Sequence, residues 1–240
     1  MTASSRVDDR PLGRSRLASK RLIDVCASAV GLIALSPLLA IVAAAIRIED
    51  GGPAIYRQVR VGLGGATFRI AKFRSMSVAQ ECEGPDLTVN GDKRITRIGD
   101  FIRRYKIDEL PQLWNVLVGE MSLVGPRPET PALMQDYTFA QRDALLALRP
   151  GITDWASLLL RSESELLADA SNPAALYREV LLPLKHRLWE CYRREAGLLT
   201  DLRILAATLW AVAAPKASNP WISQAAQDGL RACDQLARRF

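Results

Sequence analysis

Val25 to Ile46 reads VCASAVGLIALSPLLAIVAAAI and carries no charged side chain. As a helix it would be about 33 Å long, enough to cross a hydrocarbon core of about 30 Å. Three structures compete for such a run: a cleaved leader, a single span, and a segment that enters the bilayer and returns. Ala43-Ala44-Ala45 resembles a cleavage site. Against a leader, the run exceeds the usual apolar core of ~7–15 residues, and export would carry the rest of the chain away from the cytoplasm.

Charge chooses between the other two. Upstream stand Arg6, Arg10, Arg14, Arg16, Lys20 and Arg21 against Asp8 and Asp9; downstream stand Arg47, Arg57 and Arg60 against Glu49 and Asp50. Basic residues favour the cytoplasmic face, so basic flanks at both ends pull both ends to one side. Pro37 removes a helix hydrogen bond in mid-run, and Ser36 beside it can satisfy the carbonyl that Pro37 leaves free. Ser36-Pro37 is therefore read as a membrane break, with a helix dipping into the cytoplasmic leaflet and returning. A Pro-kinked single span is the alternative.

Working outward, Gly51-Gly52-Pro53 ends the apolar region. Ala54–Val61 and Ala66–Phe73 look like two strands joined by Gly62-Leu63-Gly64-Gly65, which lacks the Lys-Ser/Thr of a phosphate-binding loop. Phe68, Ile70, Lys72 and Arg74 then share one face. Glu81 to Gly91 reads as a loop. Thr96 can cap a helix from Arg97 to about Tyr105, with Ile98, Phe101, Ile102 and Tyr105 as its apolar stripe. Pro111 starts another helix, whose apolar face runs through Leu113, Val116 and Leu117, and Gly119 can end it. Met121–Val124 is a short apolar strand or extended segment before the rigid loop Gly125-Pro126-Arg127-Pro128. Beyond Pro131 the chain is mostly helical, with a weakly amphipathic tail helix over Trp221–Phe240.

The fold class expected is α+β, mostly α: a re-entrant membrane helix hairpin, then a compact catalytic domain with a small β-hairpin. The parts are a basic tail (1–19), the membrane segment (20–48), a cytoplasmic catalytic domain (49–214) and a C-terminal tail (215–240).

Composition narrows the chemistry. Four scattered cysteines, Cys26, Cys82, Cys191 and Cys233, form no CxxC pair, which argues against a zinc site or a disulfide framework. The single histidine, His186, between Lys185 and Arg187, reads as a solvated surface residue and leaves no Ser-His-Asp hydrolase. A formal charge of +6 on 240 residues favours anionic partners. No nucleic-acid-binding signature is present, and an apolar anchor does not suit a DNA reader.

Chemistry then falls to carboxylates and basic side chains. Asp108-Glu109 lies at the start of the Pro111 helix, where backbone N–H groups and the helix dipole favour anions. Capping explains one acid; a magnesium site explains two adjacent ones. A carboxylate can also attack phosphorus. Around the pair lie Arg94, Arg97, Arg103, Arg104 and Arg127. Arg97 and Arg104 read as solvated. Arg127, between two prolines, is preorganised for an anion.

An ordered set of motifs goes further: Lys20-Arg21-Leu22-Ile23-Asp24, Ser36-Pro37, Gly52-Pro53, Gln58-Val59-Arg60-Val61-Gly62, Lys72-Phe73-Arg74-Ser75-Met76, Asp108 through Leu117, Met121 through Glu129, and Arg149-Pro150-Gly151-Ile152-Thr153. Together they resemble the bacterial sugar transferases that are small monotopic polyprenyl-phosphate phosphoglycosyl transferases, over roughly Lys20 to Leu209.

The resemblance implies a catalytic domain on the cytoplasmic face of the inner membrane, in contact with its lipid. It implies Asp108 as nucleophile and Glu109 as its partner in magnesium binding or proton handling. Lys72, Arg103 and Arg127 match the family's basic positions for the substrate phosphates and nucleotide, and Arg74, on the same strand face as Lys72, is counted with them as a candidate. The expected substrates are a UDP-sugar and polyprenyl (undecaprenyl) phosphate, the expected cofactor Mg2+, with homo-oligomer formation left open. The small class is implied by the lack of transmembrane helices ahead of the anchor. Asp154-Trp155-Ala156-Ser157-Leu158 departs from the family pattern, which bears on sugar choice or oligomer contacts. Two rivals are a non-catalytic scaffold of glycan assembly and a lipid diphosphate phosphohydrolase.

Overall fold

The computed structural model describes residues 14–77, 92, 94–161, 163–214 and 219–222. The Glu81–Gly91 loop, most of the tail helix over Trp221–Phe240 and most of the basic tail lie outside them.

The chain opens with α1, Arg14–Asp50, a helix of 37 residues that contains Pro37. The break expected at Ser36-Pro37 is not observed: the backbone stays helical through it. Pro37 cannot donate to the carbonyl of Ile33, and Ser36 Oγ donates to that carbonyl instead, at 2.8 Å. The freed acceptor is satisfied locally, as expected, but the repair preserves the helix rather than ending it.

One stripe of α1 faces the rest of the protein. Asp24, Ser28, Val42 and Ile46 are buried, and Leu32, Leu35 and Leu39 pack between them; these positions recur at three- and four-residue steps, as helix periodicity requires. The opposite stripe is apolar and uncovered: Leu22, Val30, Ile33, Ile41 and Ile48 are all more than 60% exposed.

Polar bonds fasten both ends of α1. Near the start, Lys20 Nζ reaches Asp201 Oδ2 at 2.5 Å and the Val124 carbonyl at 3.0 Å. Arg21 donates to the carbonyls of Val116 and Leu117, and Asp24 accepts from the Leu123 amide at 3.1 Å. At the far end Glu49 accepts from the amides of Arg97 and Ile98, and Asp50 pairs with Arg74. Both flanks of the apolar run are thus bonded to the rest of the domain.

The hairpin forms as expected. β1 (Ile55–Val61) pairs antiparallel with β2 (Thr67–Phe73), Tyr56 opposite Lys72 and Val61 opposite Thr67. Phe68 and Ile70 point into the core. Next comes α2 (Arg97–Arg104), where the Thr96 hydroxyl accepts from the Gly99 amide. Its expected stripe divides: Ile102 is buried, whereas Phe101 and Tyr105 are exposed and meet at a tilted angle, ring centroids 5.0 Å apart.

After a 3-10 turn over Ile107–Glu109, α3 spans Gln112–Val118 and ends at Gly119, whose φ of 96° suits a residue without a Cβ. A second sheet was not foreseen. β3 (Ser122–Val124) pairs in parallel with β4 (Gly151–Thr153); strands of three residues, the first buried at every position, are too short to show an alternation. A Cβ on Gly151 would fall 2.1 Å from the Gly125 nitrogen, so the close approach of these strands requires glycine.

The remaining helices are α4 (Phe139–Leu146), α5 (Trp155–Leu159), α6 (Glu163–Asp169), α7 (Pro173–Leu176), α8 (Leu182–Glu195) and α9 (Leu198–Ala213). They surround a core that contains Val116, Met121, Leu181, Trp189 and Ile204. The departure at Asp154 fits here: Asp154 is fully buried and caps α5, accepting from the Ser157 amide and from Trp189 Nε1. His186 is half-buried on α8 rather than fully solvated.

Candidate active site

Three segments deliver the site. β2 brings Lys72, the 3-10 turn brings Asp108 and Glu109, and the Pro-Arg-Pro loop after β3 brings Arg127. The turn is set by Lys106, a left-handed residue with φ 58°. The hydrophobic side of this turn, Ile107, packs against a small cluster to which α1 contributes Val42 and Ile46 and the domain contributes Ala54, Phe73 and Ile102. The acid pair therefore follows directly on a residue packed against the cluster that α1 helps to build.

Both acids are buried, Asp108 to 8% exposure and Glu109 to 9%, but their surroundings differ. Both oxygens of Glu109 have partners. Arg127 donates Nη2 to Oε1 at 2.8 Å and Nη1 to Oε2 at 3.2 Å, the forked geometry that makes guanidinium–carboxylate pairs strong. Lys72 Nζ lies 3.7 Å from Oε1. By contrast, Asp108 Oδ1 is buried without a hydrogen-bond partner.

The electrostatics separate the pair. Burial, then the Glu109 charge beside it, pushes the Asp108 carboxyl above the ordinary carboxylate range, against the pull of Lys72, Lys106 and Arg103. Burial also opposes charge on Glu109, but Arg127 and Lys72 together more than offset it and hold that carboxyl well below its usual value. Burial, helped by Arg127, lowers the Lys72 ammonium to about 8. Two neighbouring carboxyls pushed in opposite directions mark a division of roles.

The structure sorts the expected residues. Lys72, Asp108, Glu109 and Arg127 come together. Arg103 is half-buried on α2 and acts on Asp108 through its field. Arg74 departs from expectation: its side chain is buried and paired with Asp50 at the end of α1. It follows Lys72 by two, yet the strand ends at Phe73 and the chain turns there toward α1. Arg97 and Arg104 are exposed as expected, and Arg94 pairs with Asp92. Sequence reasoning missed Lys106, whose field favours both carboxylates; its place one residue before the turn was the available signal.

A partly buried pair of cations, Lys72 and Arg127, around one neutralised carboxylate and one with a buried, unpartnered oxygen can hold a polyphosphate and present an oxygen to it. Such an arrangement suits phosphoryl chemistry. The family model described as "Bacterial sugar transferase" matches residues 15–215, and the chain belongs to that family. It is similar to the undecaprenyl-phosphate glucose phosphotransferase of Komagataeibacter xylinus, 39% identical over 211 residues, 83% of this chain and 37% of that protein. The UDP-glucose:undecaprenyl-phosphate glucose-1-phosphate transferase of Caulobacter vibrioides is 47% identical over 144 residues, 58% of this chain and 53% of its own. The UDP-N-acetylgalactosamine-undecaprenyl-phosphate N-acetylgalactosaminephosphotransferase of Aeromonas hydrophila is 41% identical over 145 residues, 58% of this chain and 34% of its own. The chain spans less than two thirds of the length of each of these three relatives.

Proposed function

We propose that the chain transfers a sugar-1-phosphate from a UDP-sugar to polyprenyl (undecaprenyl) phosphate through a covalent Asp108 intermediate. The observation that carries this reading is the buried, unpartnered Asp108 Oδ1 beside a Glu109 locked by Arg127 and Lys72. One carboxylate holds the cations in place, and its neighbour is left to react.

In the first step an Asp108 oxygen attacks the phosphorus that bears the sugar. The P–O bond to uridine monophosphate breaks, and UMP leaves with that bond's electrons. In the second step an oxygen of the lipid phosphate attacks the same phosphorus. The acyl-phosphate bond breaks, Asp108 regains its charge, and polyprenyl diphospho-sugar departs. Charge balances over the two steps without net proton transfer. Lys72 and Arg127 lie where the diphosphate charge must be neutralised, and such positioning supplies most of the barrier reduction in phosphoryl transfer.

Magnesium fits the donor set. Asp108 offers an unpartnered oxygen and Glu109 retains lone pairs beyond its two Arg127 bonds. Among the described residues no cluster of three or more ligands forms, so water and substrate phosphates would complete the shell, as this ion prefers. When bound, it adds positive charge against the diphosphate.

The uncovered stripe of α1 supports contact with a membrane, and the basic residues flanking the apolar run favour the cytoplasmic face of the inner membrane. There the acceptor phosphate lies at headgroup depth, near the Ile107 turn. UMP release from a UDP-sugar panel, with and without polyprenyl phosphate, tests the reading. Single-turnover UMP release without lipid, with labelled sugar-phosphate retained on the protein, is the expected outcome. A scaffold releases no UMP at all, and a phosphohydrolase releases inorganic phosphate from the lipid diphosphate without any nucleotide sugar.

A further inference from the structure

Asn115 lies on α3 and is 1% exposed. Its side-chain oxygen accepts from the Ala71 amide at 2.9 Å, and its nitrogen donates to the Arg69 carbonyl at 2.9 Å. The carboxamide thus pairs with β2 as a neighbouring strand would, on the edge that β1 leaves open. The nitrogen's second hydrogen goes to Glu120 Oε2 at 2.7 Å. Its backbone carbonyl accepts from the amides of Gly119, Glu120 and Met121 at 3.0–3.2 Å. Both side-chain donors are used and the side-chain oxygen is engaged.

These bonds tie together the three segments that build the site. Ala71 immediately precedes Lys72. Glu109 lies six residues before Asn115, across the turn into the same helix. Met121 leads into β3, after which the loop carries Arg127. We propose, resting on the reading of the acid pair given above, that Asn115 is a positioning residue that holds Lys72 in register with the Asp108–Glu109 turn. Its amide does what neither a carboxylate nor a hydrocarbon of the same shape can do. It accepts from one β2 amide and donates to the next β2 carbonyl at the same time. An aspartate there would face the Arg69 carbonyl with a second acceptor, and a leucine would leave both β2 groups buried without partners.

The test is a double-mutant cycle on the full chain in lipid nanodiscs. Asn115→Ser and Lys72→Met are made singly and together, with melting curves and membrane fractionation to show that each folds. UMP release is measured as kcat and KM for a UDP-sugar. A displaced lysine predicts that Asn115→Ser lowers kcat/KM by ~100-fold in the native background, the scale of an ångström-sized misplacement. In the Lys72→Met background it should add less than about threefold, because the group being positioned is gone. Equal losses in both backgrounds, or no loss at all, overturn the proposal. If the native chain releases no UMP from any UDP-sugar, the transfer reading fails separately. The cycle is then read on UDP affinity by titration, where additive or absent effects overturn the positioning role and non-additive ones sustain it. Should Asn115→Ser not fold, the isosteric Asn115→Asp, which keeps the acceptor for the Ala71 amide and loses the donor to the Arg69 carbonyl, replaces it under the same criterion.

Discussion

Arg127 grips Glu109 through both guanidinium nitrogens, at 2.8 and 3.2 Å, while Asp108, the adjacent residue, keeps a buried oxygen with no partner. Two acids that look equivalent in the sequence are made unequal by one loop. The expected consequences of replacing them differ accordingly.

Asp108→Asn removes the attacking group and should lower UMP release by at least ~10³-fold. The same change should raise thermal stability at neutral pH. Burial disfavours charge on Asp108, so its raised pKa costs stability once the pH exceeds the unfolded value, and the neutral amide escapes that cost. Glu109→Gln leaves Arg127 without its counter-charge. With that side chain about one-third exposed, the loss should be about 1–3 kcal/mol, together with most activity. Melting curves paired with UMP assays check both.

The pH dependence of kcat/KM should be bell-shaped. Asp108 must be ionised, so its raised pKa places the rising limb above the ordinary carboxylate range. Lys72 must be charged, and its lowered pKa, about 8, places the falling limb there: the ammonium is present below that value and lost above it. Lys72→Arg keeps a cation at all accessible pH values and should remove the falling limb, whatever it does to the maximum. Rates measured from pH 5 to 10 decide this.

Arg74 should behave as a structural cation. Asp50→Ala would strand a buried guanidinium and cost about 3 kcal/mol, whereas Arg74→Met leaves only an exposed helix-end carboxylate and costs about 1 kcal/mol. The KM for the UDP-sugar should stay within about twofold in Arg74→Met. A large rise in KM with unchanged melting would instead place Arg74 on the nucleotide.

The uncovered stripe of α1 should carry membrane attachment. Ile33→Asp with Ile41→Asp adds two charges to the outward face, at about 2.5–3.5 kcal/mol each if they lie at hydrocarbon depth. Flotation should move the protein from the membrane to the soluble fraction. Core packing should persist, because neither side chain contributes to it.

The sequence alone determined the elements whose signals are local. Uninterrupted hydrophobicity declares α1, alternation and a glycine turn declare the β1–β2 hairpin, and Thr96 and Gly119 mark helix ends through hydrogen bonds made within a few residues. The acid pair and Arg127 stood out as candidates by their places ahead of a helix and between prolines, although capping alone would account for one acid. Only the tertiary structure decided the rest. Ser36 and Pro37 admit both a bend and a repaired helix, and the packing of Leu32, Leu35 and Leu39 against the domain accompanies the repaired form. Arg74 shares a face with Lys72 by periodicity, yet Asp50, 24 residues earlier, claims it. Which acid stays free, and which amide holds β2 in place, depends on partners 18 and 44 residues away. Such contacts leave no periodic trace, because they are selected by three-dimensional proximity and not by spacing along the chain.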